Sequence, residues 1–175
     1  CEVVPWTVIE KWYNEGTYQP YATKQPKEFV NLIKEFILNC PPWIRLPRVV
    51  RDIPLNYISG GNKTTNLRQL VEDMIKRDKK MCMEMRYREC GRHKVYSREN
   101  AELVVRDYQG SKGHDYFISF ESPNRVALFG FLRLRFPKNS KDIVFDELKN
   151  TALIRELHVY GSMLPVGVKK KNIPQ

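Results

Sequence analysis

The sequence predicts an α+β protein in which a helical first half precedes a mostly antiparallel sheet, and three observations carry that prediction. Apolar residues recur at helical spacing in three stretches before residue 80. Beyond Asp115 the period changes to two. The first two alternating runs are separated by a turn too short for a parallel crossover.

The first helical pattern spans roughly Pro5 to Asn14, with Trp6, Ile9 and Tyr13 on one face and Gly16 placed to end it. In the second, PKEFVNLIKEFILNC, the residues Phe29, Leu32, Ile33, Phe36, Ile37 and Cys40 form one stripe. Pro26 suits its first turn, and Pro41-Pro42 stop it because proline cannot continue the hydrogen-bond ladder. The third, TTNLRQLVEDMIKRDKK, has Asn66 as N-cap, Gln69 at capping-box distance, and Leu67, Leu70, Val71, Met74 and Ile75 facing inward. Three amphipathic core helices are the reading of all three.

Between the second and third helices, WIRLPRVVRDIPLNYISGGNK carries two more prolines and a Gly60-Gly61 pair, which predicts an extended, irregular segment. Arg45, Arg48 and Arg51 recur there at every third residue, along one edge of an extended chain. Two readings stand: a row that tracks phosphates, or arginines that pair with carboxylates and cap carbonyls.

In the second half, DYFISF alternates as a strand, SPNR turns, and VALFGFLRLRF returns as its hairpin partner. The middle strand places Ala127, Phe129, Phe131, Arg133 and Arg135 on one face, greasy at one end and basic at the other. The third strand is ALIRELHVYG. A regular pleat sends Leu153, Arg155, Leu157 and Val159 one way and Ile154, Glu156, His158 and Tyr160 the other. A Glu-His-Tyr face on a central strand requires hydrogen-bond partners or a lined cleft.

Composition narrows the function classes. Hydrophobic content of 42% and 11% aromatics are globular values, and a mean hydropathy of -0.52 with no apolar run near eighteen residues excludes a helical membrane span. Thirty Lys and Arg against twenty Asp and Glu give +10, so nucleic acid is the first partner to consider, with charge for solubility alone as the alternative. The irregular spacing of Cys1, Cys40, Cys82 and Cys90 does not read as a disulfide framework and suggests a reducing, cytoplasmic setting. No secretory signal opens the chain, and a start at Cys1 suggests an upstream part that has been removed.

PPWIRLPRVVRDIP, TNLRQL, VVRDY, YFISFESP, FGFLRLR and above all LIRELHVYGSMLPVG resemble the Elongator catalytic-subunit family, the radical-SAM acetyltransferases of tRNA. The resemblance follows the same order along essentially the whole chain. It implies a parent enzyme that places a carboxymethyl-type group at carbon five of the wobble uridine. In that family an N-terminal radical-SAM domain holds a 4Fe-4S cluster and S-adenosylmethionine, and a C-terminal GNAT domain holds acetyl-CoA. On this basis residues 1–58 are the end of the radical-SAM domain, 59–100 a connector, and 101–175 the first half of a GNAT-type mixed, mostly antiparallel sheet, on which the helical connector packs.

The resemblance assigns Glu156, Leu157, His158 and Val159 to the strand facing acetyl-CoA, with Glu156 the candidate general base. The site is partial, because the Gly-rich phosphate turn that follows this strand in GNAT domains should begin near Gln175. The family's cluster cysteines lie upstream, so neither the cluster nor S-adenosylmethionine has ligands here. Many prokaryotic members carry a zinc-type cysteine motif in the connector. The corresponding run MCMEMRYRECGRH keeps Cys82 but has Glu84 and Tyr87 at the next positions, leaving a partial set with Cys90 and His93 and making zinc unexpected.

The tRNA-facing residues are then Arg45, Arg48, Arg51, Lys63, Arg68, Arg86, Arg88, Arg133 and Arg135, with Arg92 and Lys94 in the same basic run. Expected partners are tRNA, other Elongator subunits or a second copy, and no membrane. As given, the chain is expected to bind tRNA weakly and to do no chemistry alone. Two alternatives stand beside this reading: a non-catalytic scaffold that binds RNA or partner subunits, and a protein lysine acetyltransferase. A basic enzyme repels basic tails, which argues against the second.

Overall fold

The structure, a computed structural model, describes residues 1–93, 96–138 and 143–161. Chain contacts divide it into two compact units at Tyr87/Arg88. In the core of the first unit, Leu67, Val71, Ile75 and Cys82 close on Ile37.

The first unit is helical. Helix α1 (Val8–Asn14) begins three residues later than the expected Pro5, because Thr7 caps it by accepting from the Glu10 amide. Trp6 therefore lies outside the helix at φ 62°. Gly16 ends it at φ 75° as expected. A short helix, α2 (Tyr21–Lys24), which the sequence pattern did not disclose, precedes α3 (Pro26–Leu38), whose first residue is the anticipated proline. Ile37 is fully buried and Phe29 and Ile33 pack beside it, whereas Leu32 and Phe36 of the expected stripe are exposed.

Helix α4 (Leu67–Arg77) buries Leu67, Val71, Glu72 and Ile75. Asn66 occupies the N-cap position but its side chain makes no cap bond. Gln69 reaches forward to Asp73, so the capping box does not form. Leu70 is exposed rather than inward. The connector between α3 and α4 is irregular, as the prolines require.

The second unit is a four-stranded sheet in the order β1-β2-β3-β4, all neighbours antiparallel: β1 (Glu102–Gly110), β2 (Gly113–Glu121), β3 (Leu128–Pro137) and β4 (Leu153–Val159). The mixed sheet anticipated from the sequence is thus wholly antiparallel among the described residues. β1 is an additional strand. Ser111 and Lys112 turn the chain tightly into β2, with Lys112 at φ 58°.

The register gives the sheet two unlike faces. Asp115, Phe117, Ser119 and Glu121 of β2 are buried on one. On the other, Leu103, Val105 and Phe120 line up with Leu157 and Val159, and all five are exposed. β4 does not keep a regular pleat. Arg133 pairs with Glu156 and Leu134 with Ile154, so Arg155 is an extra residue opposite one position of β3. Beyond this bulge the alternation reverses: Ile154 joins the face of Leu157, while Arg155 reaches Asp115 on the face of Glu156 and His158.

Candidate functional site

In the connector, Arg45, Arg48 and Arg51 are all exposed, and so is Lys63 beyond it. Arg48 faces Asp52 at 3.6 Å, a solvent-exposed pair of little strength. Among the described residues Arg51 and Lys63 have no ion-pair partner. Three cavities border this segment. One of about 280 Å³ is lined by residues that include Arg51, Leu55, Ile58 and Lys63. One of about 350 Å³ shares Asn62, Lys63 and Thr64 with it. A third, also about 350 Å³, takes in Arg48, Arg68 and Arg86.

The connector's root is clamped by a buried charge cluster. Glu84, fully buried, accepts from the Leu46 amide at 2.6 Å, from Arg68 Nη2 at 2.6 Å and from the Tyr87 amide at 2.9 Å. Arg68 also meets Glu72 at 2.7 Å and donates to the Leu46 carbonyl at 2.7 Å. Both backbone groups of Leu46 are therefore held. Every guanidinium nitrogen of Arg68 is bonded inside the unit. Arg86 donates to the Pro47 carbonyl and so braces the same segment.

Arginines of the second unit are paired in the same way. Arg88 has no exposed surface and lies 3.1 Å from Glu121, which Arg106 grips with two bonds of 2.6 and 2.9 Å. Burial alone would push the Glu121 carboxyl up; Arg106, Arg88 and Ser119 override it and hold the group below the usual carboxylate range. Arg135 binds Asp115 at 3.0 Å and donates to the Ser111 carbonyl. Arg133 binds Glu156 at 2.9 Å and lies over the rings of Phe117 and Phe131. Arg92 is exposed, and Lys94 lies outside the described residues.

Among the described residues β4 is one of the two edge strands of the sheet, and all of its residues are exposed. Glu156, the candidate base, shares its carboxylate with Arg133. His158 stacks on Phe131 with ring centroids 5.9 Å apart and sits 4.5 Å from the ring of Tyr160. Leu157 and Val159 project to the opposite, apolar face. The four residues assigned to the cofactor strand thus divide two and two, with the outer backbone edge common to them.

The cysteines do not assemble a metal site. Cys82 lies in the core of the first unit, where its thiol donates to the Ile37 carbonyl at 3.8 Å and burial pushes it up to about 11. Burial, with Glu84 next, also raises Cys40. Both stay protonated at neutral pH, unlike a zinc-binding thiolate. Among the described residues no group of three His, Cys, Asp or Glu side chains is placed to hold a metal ion. No helix of the described chain is long and apolar enough to cross a membrane.

Residues 1–77 match the Radical_SAM C-terminal domain family. Over nearly all its length the chain is similar to Elongator complex protein 3. It is 36% identical to that protein of Schizosaccharomyces pombe (strain 972 / ATCC 24843) over 167 residues, covering 94% of this chain and 30% of the relative. It is 37% identical to a tRNA uridine(34) acetyltransferase of Dehalococcoides mccartyi (strain CBDB1) over 168 residues, 94% of this chain and 36% of that one. A solved structure, Methanocaldococcus infernus Elp3 with an N-terminal deletion, superposes with a TM-score of 0.79 at 30% identity, covering 95% of this chain and 39% of the other. The chain spans about a third of the length of these relatives.

Sequence reasoning missed Glu84, Asp115 and Glu121, the three buried carboxylates that absorb the arginines. Only the Arg68–Glu72 spacing of four residues on one helix was open to it.

Proposed function

We propose that this chain is part of a tRNA acetyltransferase that uses acetyl-CoA and radical-SAM chemistry to modify carbon five of the wobble uridine. The observation that carries this reading is the similarity to both Elongator complex protein 3 and a tRNA uridine(34) acetyltransferase along 94% of the chain. In this reading the first unit belongs to the radical-SAM part and the sheet is the beginning of a GNAT-type domain. tRNA meets the exposed cations of the connector, Arg45, Arg48, Arg51 and Lys63. Other Elongator subunits are further proposed partners.

The residues of β4 fit one part of acetyl-CoA. A strand edge offers backbone donors and acceptors to an amide-bearing chain, and Leu157 and Val159 offer apolar contact. Bound acetyl-CoA would supply the acyl group. Glu156, the candidate base, is held on this face by Arg133 at 2.9 Å. For an iron–sulfur cluster the described residues do not fit, and no step is assigned to it here.

The test is mass spectrometry of nucleosides from tRNA incubated with acetyl-CoA, S-adenosylmethionine and the protein prepared at the length of its relatives. A uridine carrying the added carboxymethyl mass at the wobble position is the expected result. Acetylated lysines in a basic peptide, with unmodified tRNA, would replace this reading with the lysine acetyltransferase one.

A further inference from the structure

The most conspicuous unexplained feature of the first unit is Trp6. It is 88% exposed, so it contributes little to the core, yet it holds a backbone conformation (φ 62°) that is costly for a bulky side chain. The conformation is maintained locally: its amide donates to Glu10 Oε2 at 2.7 Å, and Glu10 Oε1 accepts from Ser59 Oγ at 3.5 Å. The indole is thereby presented beside the exposed Tyr57, ring centroids 6.4 Å apart and planes 58° to each other.

Tyr57 lies between Leu55 and Ile58, both of which line the cavity of about 280 Å³. Glu2, near Trp6 in the chain, lines it as well. The cavity's cations, Arg51 and Lys63, have no ion-pair partner among the described residues, while Asp52 is drawn to Arg48. An exposed aromatic pair next to a groove with available cations is the combination that binds unpaired nucleic acid, rings meeting bases and cations meeting phosphates.

We propose that Trp6 and Tyr57 form a stacking platform for an unpaired base of bound RNA, with Arg51 and Lys63 meeting the phosphates of the adjoining nucleotides in the neighbouring cavity. This rests on the tRNA reading and specifies which part of the RNA the first unit grips: single-stranded nucleotides, not duplex. The platform gives affinity without strong base preference, since every base has a π-face, while the cations set the salt dependence.

Fluorescence anisotropy of the chain with labelled decauridylate, with an RNA duplex of equal length and with unmodified tRNA tests this. Trp6→Ala and Tyr57→Ala should each weaken decauridylate binding about fivefold or more. Duplex binding should change less than twofold and the salt slope should stay as in the wild type. Arg51→Ala with Lys63→Ala should instead flatten the slope. Because Trp6 is exposed, Trp6→Ala should keep the wild-type melting temperature, and Trp12→Ala controls for loss of another exposed indole. If Trp6→Ala and Tyr57→Ala bind decauridylate within twofold of wild type while tRNA still binds with a steep slope, the platform is refuted and the tRNA reading stands. If the wild-type chain binds none of the three RNAs, both fall.

Discussion

Replacing Glu84 by alanine tests the clamp that holds the connector in place. The carboxylate is fully buried and accepts three hydrogen bonds, from Leu46, Arg68 and Tyr87. Truncation leaves two backbone amides without their acceptor and strips Arg68 of one of two carboxylates. Hydrogen bonds to a charged group contribute about 1.5–3 kcal/mol each, but the three share one side chain and do not add. Breaking one partner of a buried ion pair costs about 3–5 kcal/mol, and the retained Glu72–Arg68 contact at 2.7 Å places Glu84→Ala near the lower end, about 3 kcal/mol. All three tryptophans, Trp6, Trp12 and Trp43, lie in the first unit, so tryptophan fluorescence during urea unfolding reports that unit alone. With a urea dependence of about 1.5 kcal/mol per molar, the midpoint should fall by about 2 M. A loss below about 1 kcal/mol for Glu84→Ala would refute the claim that this cluster holds the connector.

Gly110→Ala should destabilise the sheet by about 3 kcal/mol in thermal melts, since a Cβ there would meet Asp115 Oδ2 at 2.1 Å and push the carboxylate off Arg135 and Arg155. Glu121 gives the second unit an acid limit. Its folded pKa is held below the ordinary value of 4.5, so its contribution is complete above about that pH and is lost as the pH falls through the lowered value. Circular dichroism melts should decline below about pH 5, and Glu121→Gln should make that decline shallower, with Asp78, also held low by Lys34, leaving a remainder. A thiol reagent at pH 8 should modify exposed Cys1 rapidly and half-buried Cys90 more slowly, with buried Cys40 and Cys82 reacting only in urea. Rapid modification of Cys82 in the folded protein would contradict its place in the core.

How much was legible in the sequence follows from the range of the interactions. α3 announces itself because Pro26 and Pro41 act through the local backbone, and the alternation of β2 and β3 is visible because each strand has a buried face. β1 was harder to see: Leu103 and Val105 alternate with Val104 and Arg106, and its apolar side faces outward. The bulge at Arg155 is invisible to periodicity, being fixed by the pairing with β3. The exposure of the connector cations was legible because a proline-rich irregular segment runs over the surface. Arg68, Arg88, Arg133 and Arg135 each face a carboxylate; for the last three it lies 20 to 33 residues away in sequence, beyond what charge spacing discloses.

The account's central claim is that the exposed connector, and not the total charge of +10, engages tRNA. It is tested most directly by the salt dependence of tRNA affinity for the wild-type chain and for Arg48→Ala, Arg51→Ala and Lys63→Ala combined. Each lost phosphate contact removes about 0.7–0.9 from the slope of log affinity against log salt, so the triple variant should be shallower by about two units or more. A triple variant with the wild-type slope and affinity would contradict the account.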